Sequence, residues 1–434
     1  MVSVSPAIRR CPALMVAAPA SGQGKTTVVA ALARLHRSCG RRVRVFKCGP
    51  DFLDPQIHAL ASGAPVGNVD LWMTGEDDIA ARLYAAAGEA DLILVESVMG
   101  LHDGSPSSAD IARRFGLPVL AVIDARAMAQ TFGALAHGLK HYRDGVNLCA
   151  VIANRIGSAR HADMLRDSLP ADIAWYGGLP RDERIALPER HLGLLPAAEI
   201  DGLDAQLDIA AQLLGASAAA DLPPAVAFAP LAHAPLPRLL DGVRVAVARD
   251  PAFCFVYPAN IECLRALGAE LTEFSPLTDA ALPDCDAVWL PGGYPELHAA
   301  RWAGNTAMHA SLRRHVDAGR PLLAECGGMM SLFETLADKA GACHCGAGLL
   351  PGTVRMQARL AALGLQQVAL PEGLVRGHTF HYSVADTPLP PVLQASTPDG
   401  RPGEAVYRVG RLTASYVHLY FPSQPQAVAA LFMP

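Results

Sequence analysis

Residues 13–27 constrain this chain more than any other stretch. They read Ala-Leu-Met-Val-Ala-Ala-Pro-Ala-Ser-Gly-Gln-Gly-Lys-Thr-Thr, and Val28, Val29, Leu32 and Leu35 follow at helical spacing. The unbroken apolar run Leu14 to Ala18 predicts a buried strand, and the later spacing predicts a helix. A strand that turns through glycines into a helix is the setting of a phosphate-binding P-loop. Gly22 and Gly24 let backbone N–H groups turn inward around an anion, and the helix N-terminus adds partial positive charge. Lys25 can reach β- and γ-phosphates, and the Thr26 hydroxyl suits Mg²⁺. Pro19 stands where the common pattern has its first glycine. The stretch predicts nucleotide binding without specifying a reaction.

The residues that follow repeat an α/β alternation. Val43–Lys47 reads as a strand running into Gly49-Pro50-Asp51-Phe52-Leu53-Asp54-Pro55. This places Asp51 and Asp54 on a turn at a strand's carboxyl end, where open α/β sheets hold ligands; taken alone, the pair also suits a solvated turn. A helix is expected over 77–87. The strand 91–96 ends in Glu96, the Walker-B arrangement in which an acid holds Mg²⁺ or its water. A strand over 117–123 ends at Asp124, a helix covers 128–141, and a strand over 146–153 ends at Asn154-Arg155. Asn154 reads equally as a partner for a base edge or as a turn former. The alternation predicts a doubly wound, mostly parallel sheet. Residues 179–200 carry Arg181, Asp182, Glu183, Arg184, Glu189, Arg190 and His191 between prolines and read as an ordered loop beside the site or, as is commoner for such a charged stretch, a solvated surface run.

Residues 215–241, rich in Ala and Pro and poor in charge, read as a linker between a domain of 1–214 and one of 242–434. The pattern then restarts with strands at 243–248, 270–274, 286–290 and 321–325 and a helix at 258–267. Shorter β-like runs fill 349–434, including 377–382 and 415–421. The strand at 321–325 delivers Cys326 to Gly327-Gly328, with a helix expected from Met329. Strand, tight turn and helix form a nucleophile elbow, and a helix N-terminus is expected to lower the thiol pKa. A base must come from elsewhere in the chain. His418 is the first choice, with His378 and His381 behind it. Gly292 and Gly293, after the strand 286–290, can offer N–H groups as an oxyanion hole.

Composition narrows the classes. The chain's 434 residues, 51% hydrophobic and 18% charged, allow two or three domains with large cores. A net charge of -5 argues against nucleic-acid or anionic-membrane partners. Ten cysteines lie scattered, which suits reduced thiols and a cytoplasmic location. Cys343-His344-Cys345 has no second ligand pair nearby, as a zinc site would need, and reads as ordinary thiols. Arg9-Arg10 and the apolar stretch after it imitate a signal peptide, but cleavage there would cut the P-loop strand. No apolar run reaches the ~18 residues of a membrane span.

Taken together, these motifs resemble the cobyrinic and hydrogenobyrinic acid a,c-diamide synthases over nearly the whole chain. The N-terminal half is similar to the dethiobiotin-synthetase-like P-loop fold through Ser21–Thr27, Phe46–Asp51, Asp54-Pro55 with His58, and Glu96–Gly104. The C-terminal half is similar to a class I, triad-type glutamine amidotransferase through Pro291–Glu296, Glu325–Gly328, Gly377-His378 and Ser415–His418. The resemblance implies ATP and Mg²⁺, with Ser21, Gly22, Gly24, Lys25, Thr26, Thr27 and Asn154 at the nucleotide. It implies Thr26, Asp51 and Glu96 at the metal, and Asp54 and Asp103 at the phosphate and carboxylate site. Cys326, with His418 as base, would hydrolyse L-glutamine through a thioester. The ammonia would amidate phosphorylated a- and c-carboxylates of a corrinoid. No nucleic acid or membrane partner is implied, and a homodimer is left open. Many amidotransferases carry His-x-Glu, the Glu orienting the His; here Tyr420 takes that place, as in the cobyrinate branch, and the orienter of His418 is left undetermined. A partition- or switch-type P-loop ATPase with a non-catalytic C-terminal domain is disfavoured by Cys326 with His418 and by the lack of a basic face. Cobyric-acid-type and nickel-tetrapyrrole amidotransferases are closer rivals, against which chain length and Gly49–Pro55 favour a,c-diamidation.

Overall fold

A computed structural model describes residues 7–190, 193–231 and 235–434. The chain divides into two compact units, Met1–His233 and Ala234–Pro434. In the first, a sheet runs in the order Gly67–Val69, Val43–Cys48, Leu92–Glu96, Arg9–Ala17, Val119–Asp124, Leu148–Ile156 and Ala174–Pro180. These seven strands are parallel. Strands buried on both faces need apolar residues at every position, since side chains alternate between faces. In Arg9–Ala17, Ala13, Met15 and Ala17 join one core layer while Leu14 and Val16 join the other. Burying each large apolar side chain contributes about 1.5–3 kcal/mol. The chain builds the sheet first to one side of Arg9–Ala17 and then to the other. The carboxyl end of that strand is therefore the point where the strand order reverses, which is where such sheets bind ligands.

Two expectations for this unit need revision. The turn at 51–55 is already the entry to a helix, Asp54–Ser62, with Pro55 in its first turn, where a missing N–H costs nothing. The expected linker 215–241 is partly built into the first unit. Ala225–Phe228 pairs antiparallel with Arg9–Pro12, because the edge of that strand's first half has no other partner there. The loop 179–200 is ordered where described: Ile185 and Ile200 are buried, and the Ala197 N–H donates to Gln56 Oε1 (3.2 Å) on the helix Asp54–Ser62. His191 lies outside the described residues.

In the second unit, Glu270–Phe274, Arg244–Ala248, Ala287–Leu290, Leu322–Glu325 and Leu412–Ser415 are parallel neighbours. The sheet continues antiparallel through Pro402–Val409, Leu393–Ser396, Ala362–Leu370, Gly373–His381 and His418–Leu419. The run 415–421 is thus not one strand. After Ser415 the chain leaves its partner Leu322–Glu325 and re-pairs with Gly373–His381, so that His418 faces His378. The helix expected from Met329 is a single turn, Gly327–Met330, because the chain re-enters a strand at Phe333–Ala337, in a small four-stranded sheet.

Candidate active sites

The P-loop stands at the reversal point of the first sheet. Gly22 and Gly24 have φ of 76° and 85°, where a Cβ is strained, and Gly24 caps the helix Lys25–Ser38. Ser21 is exposed at the tip, and Thr27 lies in the first helical turn. Buried Lys25 folds back over the loop, its Nζ donating to the carbonyls of Met99 (2.6 Å) and Ala20 (3.4 Å). Burial pulls its pKa down against the opposing charge of Glu96. Asn154 is bonded into the floor of the loop. Its Nδ2 donates to the Gln23 carbonyl (2.9 Å), its Oδ1 accepts from Arg155 N–H (3.0 Å), and a side chain at Gly24 would strike it. Arg155 adds a bond to the Gly22 carbonyl (3.1 Å) while paired with Asp124 (2.6 Å).

Glu96, fully buried at the end of Leu92–Glu96, gathers the rest. Its Oε1 accepts from the Thr26 hydroxyl (3.0 Å) and lies 3.1 Å from Lys47 Nζ, and its Oε2 pairs with His58 Nε2. Burial pushes this carboxyl up, but Lys47 and His58 outweigh it and hold it at about 2. Lys47 also bonds Asp54 Oδ2 (2.5 Å) and lies 3.7 Å from Asp51 Oδ2. Asp51 Oδ1 accepts from the N–H groups of Leu53 (2.9 Å) and Asp54 (3.2 Å), and burial with the nearby Asp54 charge pushes its pKa up to about 7. Asp103 is exposed; its Oδ2 accepts from Gly100 N–H (2.8 Å), in a loop tied to the P-loop by Leu101 N–H on the Ala18 carbonyl (2.8 Å). Among the described residues no three His, Cys, Asp or Glu side chains surround one point. Lys47 occupies the centre of the acids. Thr26 and Glu96 present oxygens 3.0 Å apart, and Asp51 meets Glu96 only through Lys47; hydroxyl and carboxylate oxygens are the donor type of Mg²⁺, which takes few protein ligands and fills its octahedron with nucleotide oxygens and water.

In the second unit Cys326 sits at φ 46° and ψ -108°, the strained backbone of an elbow. Its N–H is tied to the Ser415 carbonyl (2.8 Å). Gly327 and Gly328 let the elbow press on the turn after Ala287–Leu290: a Cβ at Gly327 would fall 2.9 Å from the Gly293 nitrogen. On the same turn, a Cβ at Gly292 would fall 2.9 Å from His418 Nδ1. Cys326, Gly292, Gly293 and His418 therefore converge. His381 is engaged elsewhere, its Nδ1 facing the Ser383 carbonyl (2.8 Å) and its Nε2 facing Glu404 Oε1 (2.9 Å). His378 stacks on His418 from behind. The expected lowering of the Cys326 pKa is reversed. Burial, then Glu296, push the thiol far up, and the Gly327 N–H of the single helical turn offsets little of this. Burial, then nearby His378 and His381, likewise hold His418 well below the usual histidine range, so that it rests neutral. The exposed thiols Cys343 and Cys345 belong to no metal cluster among the described residues.

Comparison with known proteins agrees with both halves. Residues 14–195 match the CobQ/CobB/MinD/ParA nucleotide binding domain, and residues 244–426 match the CobB/CobQ-like glutamine amidotransferase domain. The chain is 61% identical to the hydrogenobyrinate a,c-diamide synthase of Pseudomonas aeruginosa, covering 98% of each chain. It is 60% identical to the protein of the same name from Stutzerimonas stutzeri, over 98% of this chain and 99% of that one. It is 49% identical to the cobyrinate a,c-diamide synthase of Herminiimonas arsenicoxydans, over 97% and 96%. The chain belongs to the hydrogenobyrinate and cobyrinate a,c-diamide synthase family. It is an enzyme of the carbon–nitrogen ligase class.

For a diamide synthase of this family, sequence reasoning left several side chains without a role. Lys47 and His58 sat inside quoted motifs, yet the structure puts both on Glu96. A lysine near the end of the apolar strand Val43–Cys48 was the available signal, since a buried ammonium is tolerated only when paired. Glu325 accepts from Trp289 Nε1 (2.8 Å) and Leu419 N–H (2.8 Å), tying the Cys326 strand to the one bearing His418. No spacing in the sequence announces that long-range bond.

Proposed function

We propose that this chain uses ATP and glutamine to amidate the a- and c-carboxylates of hydrogenobyrinate or cobyrinate through acyl phosphates, in cobalamin biosynthesis. Residues 1–214 would be the amidoligase and 242–434 the glutaminase. The metal-free ring is favoured by the 61% and 60% identities to synthases named for it. The observation that carries the reading is the convergence of elbow Cys326 and neutral His418 on the Gly292–Gly293 turn. Cys326 Sγ attacks the glutamine side-chain carbonyl as His418 takes the thiol proton. The Gly292–Gly293 N–H groups meet the developing oxyanion. The His418 proton leaves with ammonia, and water then cleaves the thioester to glutamate.

In the first unit, a carboxylate is a poor electrophile and phosphorylation supplies a leaving group. Lys25 and the loop N–H groups cradle the phosphates. Thr26, Asp51 and Glu96 would hold Mg²⁺, which when bound screens the charge of phosphoryl transfer. Asp54 and Asp103 would border the carboxylate site, and Lys47 holds Asp54 and Glu96 in place by pairing with both.

The test is Cys326→Ala. Glutamine-dependent amidation should fall on the order of 10⁴-fold, while amidation driven by high ammonium at alkaline pH persists. A folded variant with normal glutamine-dependent turnover refutes the reading. Loss of both nitrogen sources in a folded variant moves Cys326 to the amidation step itself.

A further inference from the structure

We infer that His378 is the positioning residue of His418, braced by Tyr257 and Tyr420 in place of the acid found in His-x-Glu amidotransferases. The inference rests on the glutaminase reading of Cys326 and His418. A catalytic histidine needs its ring rotation fixed, which an acid does elsewhere by a hydrogen bond. Here the ring is packed against a neighbouring imidazole. His378 and His418 are directly opposed across the antiparallel pair Gly373–His381 and His418–Leu419. Opposed residues on adjacent strands bring their Cβ atoms within about 4.5–5.5 Å. The two imidazoles lie nearly parallel, at 15°, with centroids 4.9 Å apart. The His418 ring also lies close to Gly292, with no side chain, and to the Phe255 ring at 6.0 Å.

A wall positions a neighbour only if it is itself fixed. His378 Nδ1 meets the Tyr257 hydroxyl at 3.0 Å. The buried Tyr257 ring meets Tyr420 edge-on, 5.6 Å between centroids at 74°. Tyr420 is anchored by its N–H on the Arg376 carbonyl (2.8 Å), two residues before His378. The position that holds an acid in the other amidotransferases thus supplies the last member of a chain of rings, 420 to 257 to 378 to 418. His378, Tyr257 and Tyr420 are all buried, so the stack has little room to rotate. Burial also holds His378 down at about 3.

The experiment compares His378→Ala, His378→Phe and Tyr257→Phe with the parent, measuring glutamate release and ammonium-driven amidation on the full chain. Loss of the wall should lower the glutaminase kcat of His378→Ala about 10²-fold, the effect of roughly 1 Å of misplacement. Glutamine KM should stay within about threefold, because positioning acts on the transition state more than on binding. His378→Phe keeps a flat ring and should recover at least about tenfold of that loss; a merely space-filling or folding role gives no such split between kcat and KM. Ammonium-driven amidation should be unchanged in each. If His378→Ala proves unfolded, Tyr257→Phe carries the test with an expected kcat loss of about three- to tenfold. Parent-like glutaminase kcat in a folded His378→Ala, or in Tyr257→Phe, overturns the inference. With Cys326→Ala run alongside, an inactive Cys326→Ala beside a normal His378→Ala sinks only the positioning role. An active Cys326→Ala sinks the glutaminase reading itself.

Discussion

Gly292→Ala asks whether His418 really stands where the proposed chemistry needs it. Gly292 is not among the residues of positive φ, so its backbone accepts an alanine and the perturbation is purely one of space. The added methyl would fall 2.9 Å from His418 Nδ1 and closer still to Cε1. Ordinary carbon contacts begin near 3.5 Å, so the ring must retreat by roughly 1 Å. It cannot retreat freely, since it is buried and His378 is stacked on it. The strain is therefore shared among buried rings, and overpacking of this kind costs about 1–3 kcal/mol. For a unit of this size that lowers the melting temperature by roughly 2–12 °C. The catalytic effect should be larger than the thermal one, about 10²-fold on glutamine-dependent amidation for a displacement near 1 Å. Ammonium-driven amidation should be unaffected, because it bypasses the cysteine and the histidine. The assay measures both nitrogen sources on one preparation at a temperature below the melting transition. Full glutamine-dependent activity in folded Gly292→Ala would mean that the ring is not against that turn during catalysis, and the reasoning fails.

Two other outcomes are expected. Lys25→Ala should abolish ATP-dependent amidation with either nitrogen source while leaving glutamate release measurable; diamide formation at the parent rate would refute the phosphate role. Glu325→Gln should change how stability depends on pH, since burial raises the Glu325 carboxyl to about 8 from an ordinary 4.5. A group raised in the folded state contributes its stability below the unfolded value and loses it as pH rises through the folded one. The variant should therefore gain on the parent between pH 4.5 and 8, by on the order of a few kcal/mol. Urea unfolding at both ends of that range reads the gap, and a pH-independent gap would contradict a buried, raised carboxyl.

The parts of this molecule legible in the sequence are those that local pattern dictates. Strands buried on both faces announce themselves as apolar runs: 91–96 and 286–290 emerge within a residue or two of expectation, while Leu14–Ala18 proves to be the inner half of the longer strand Arg9–Ala17. The P-loop and the elbow are equally local, each a strand followed by glycines. What escaped depends on contacts distant in sequence. Ala225–Phe228 looks like linker by composition and becomes strand only because Arg9–Pro12 offers an unpaired edge. The helix Leu203–Leu214 carries a legible signal, with Leu203, Leu207, Ala210, Ala211 and Leu214 on its buried face, but it lies between a charged loop and an Ala-rich stretch that blur its ends. The thiol of Cys326 was misjudged for a physical reason. A helix terminus lowers a pKa by a modest partial charge, and a one-turn helix supplies little of it against full burial beside Glu296.

That misjudgement bears on how the proposed glutaminase is controlled. A thiolate at rest would be reactive toward any electrophile, whereas Cys326 is held as a thiol and His418 as a neutral imidazole, both by burial. Moving the proton from one to the other would create two charges in an apolar setting, and the desolvation cost of the ions opposes it. The transfer becomes favourable only when it is coupled to bond formation at the glutamine carbonyl, where the negative charge passes on to an oxygen met by the Gly292–Gly293 N–H groups. On this reading the site's low polarity is part of its selectivity. It keeps the nucleophile silent without glutamine, and it makes the position of His418, packed against Gly292 and His378, the variable on which turnover depends.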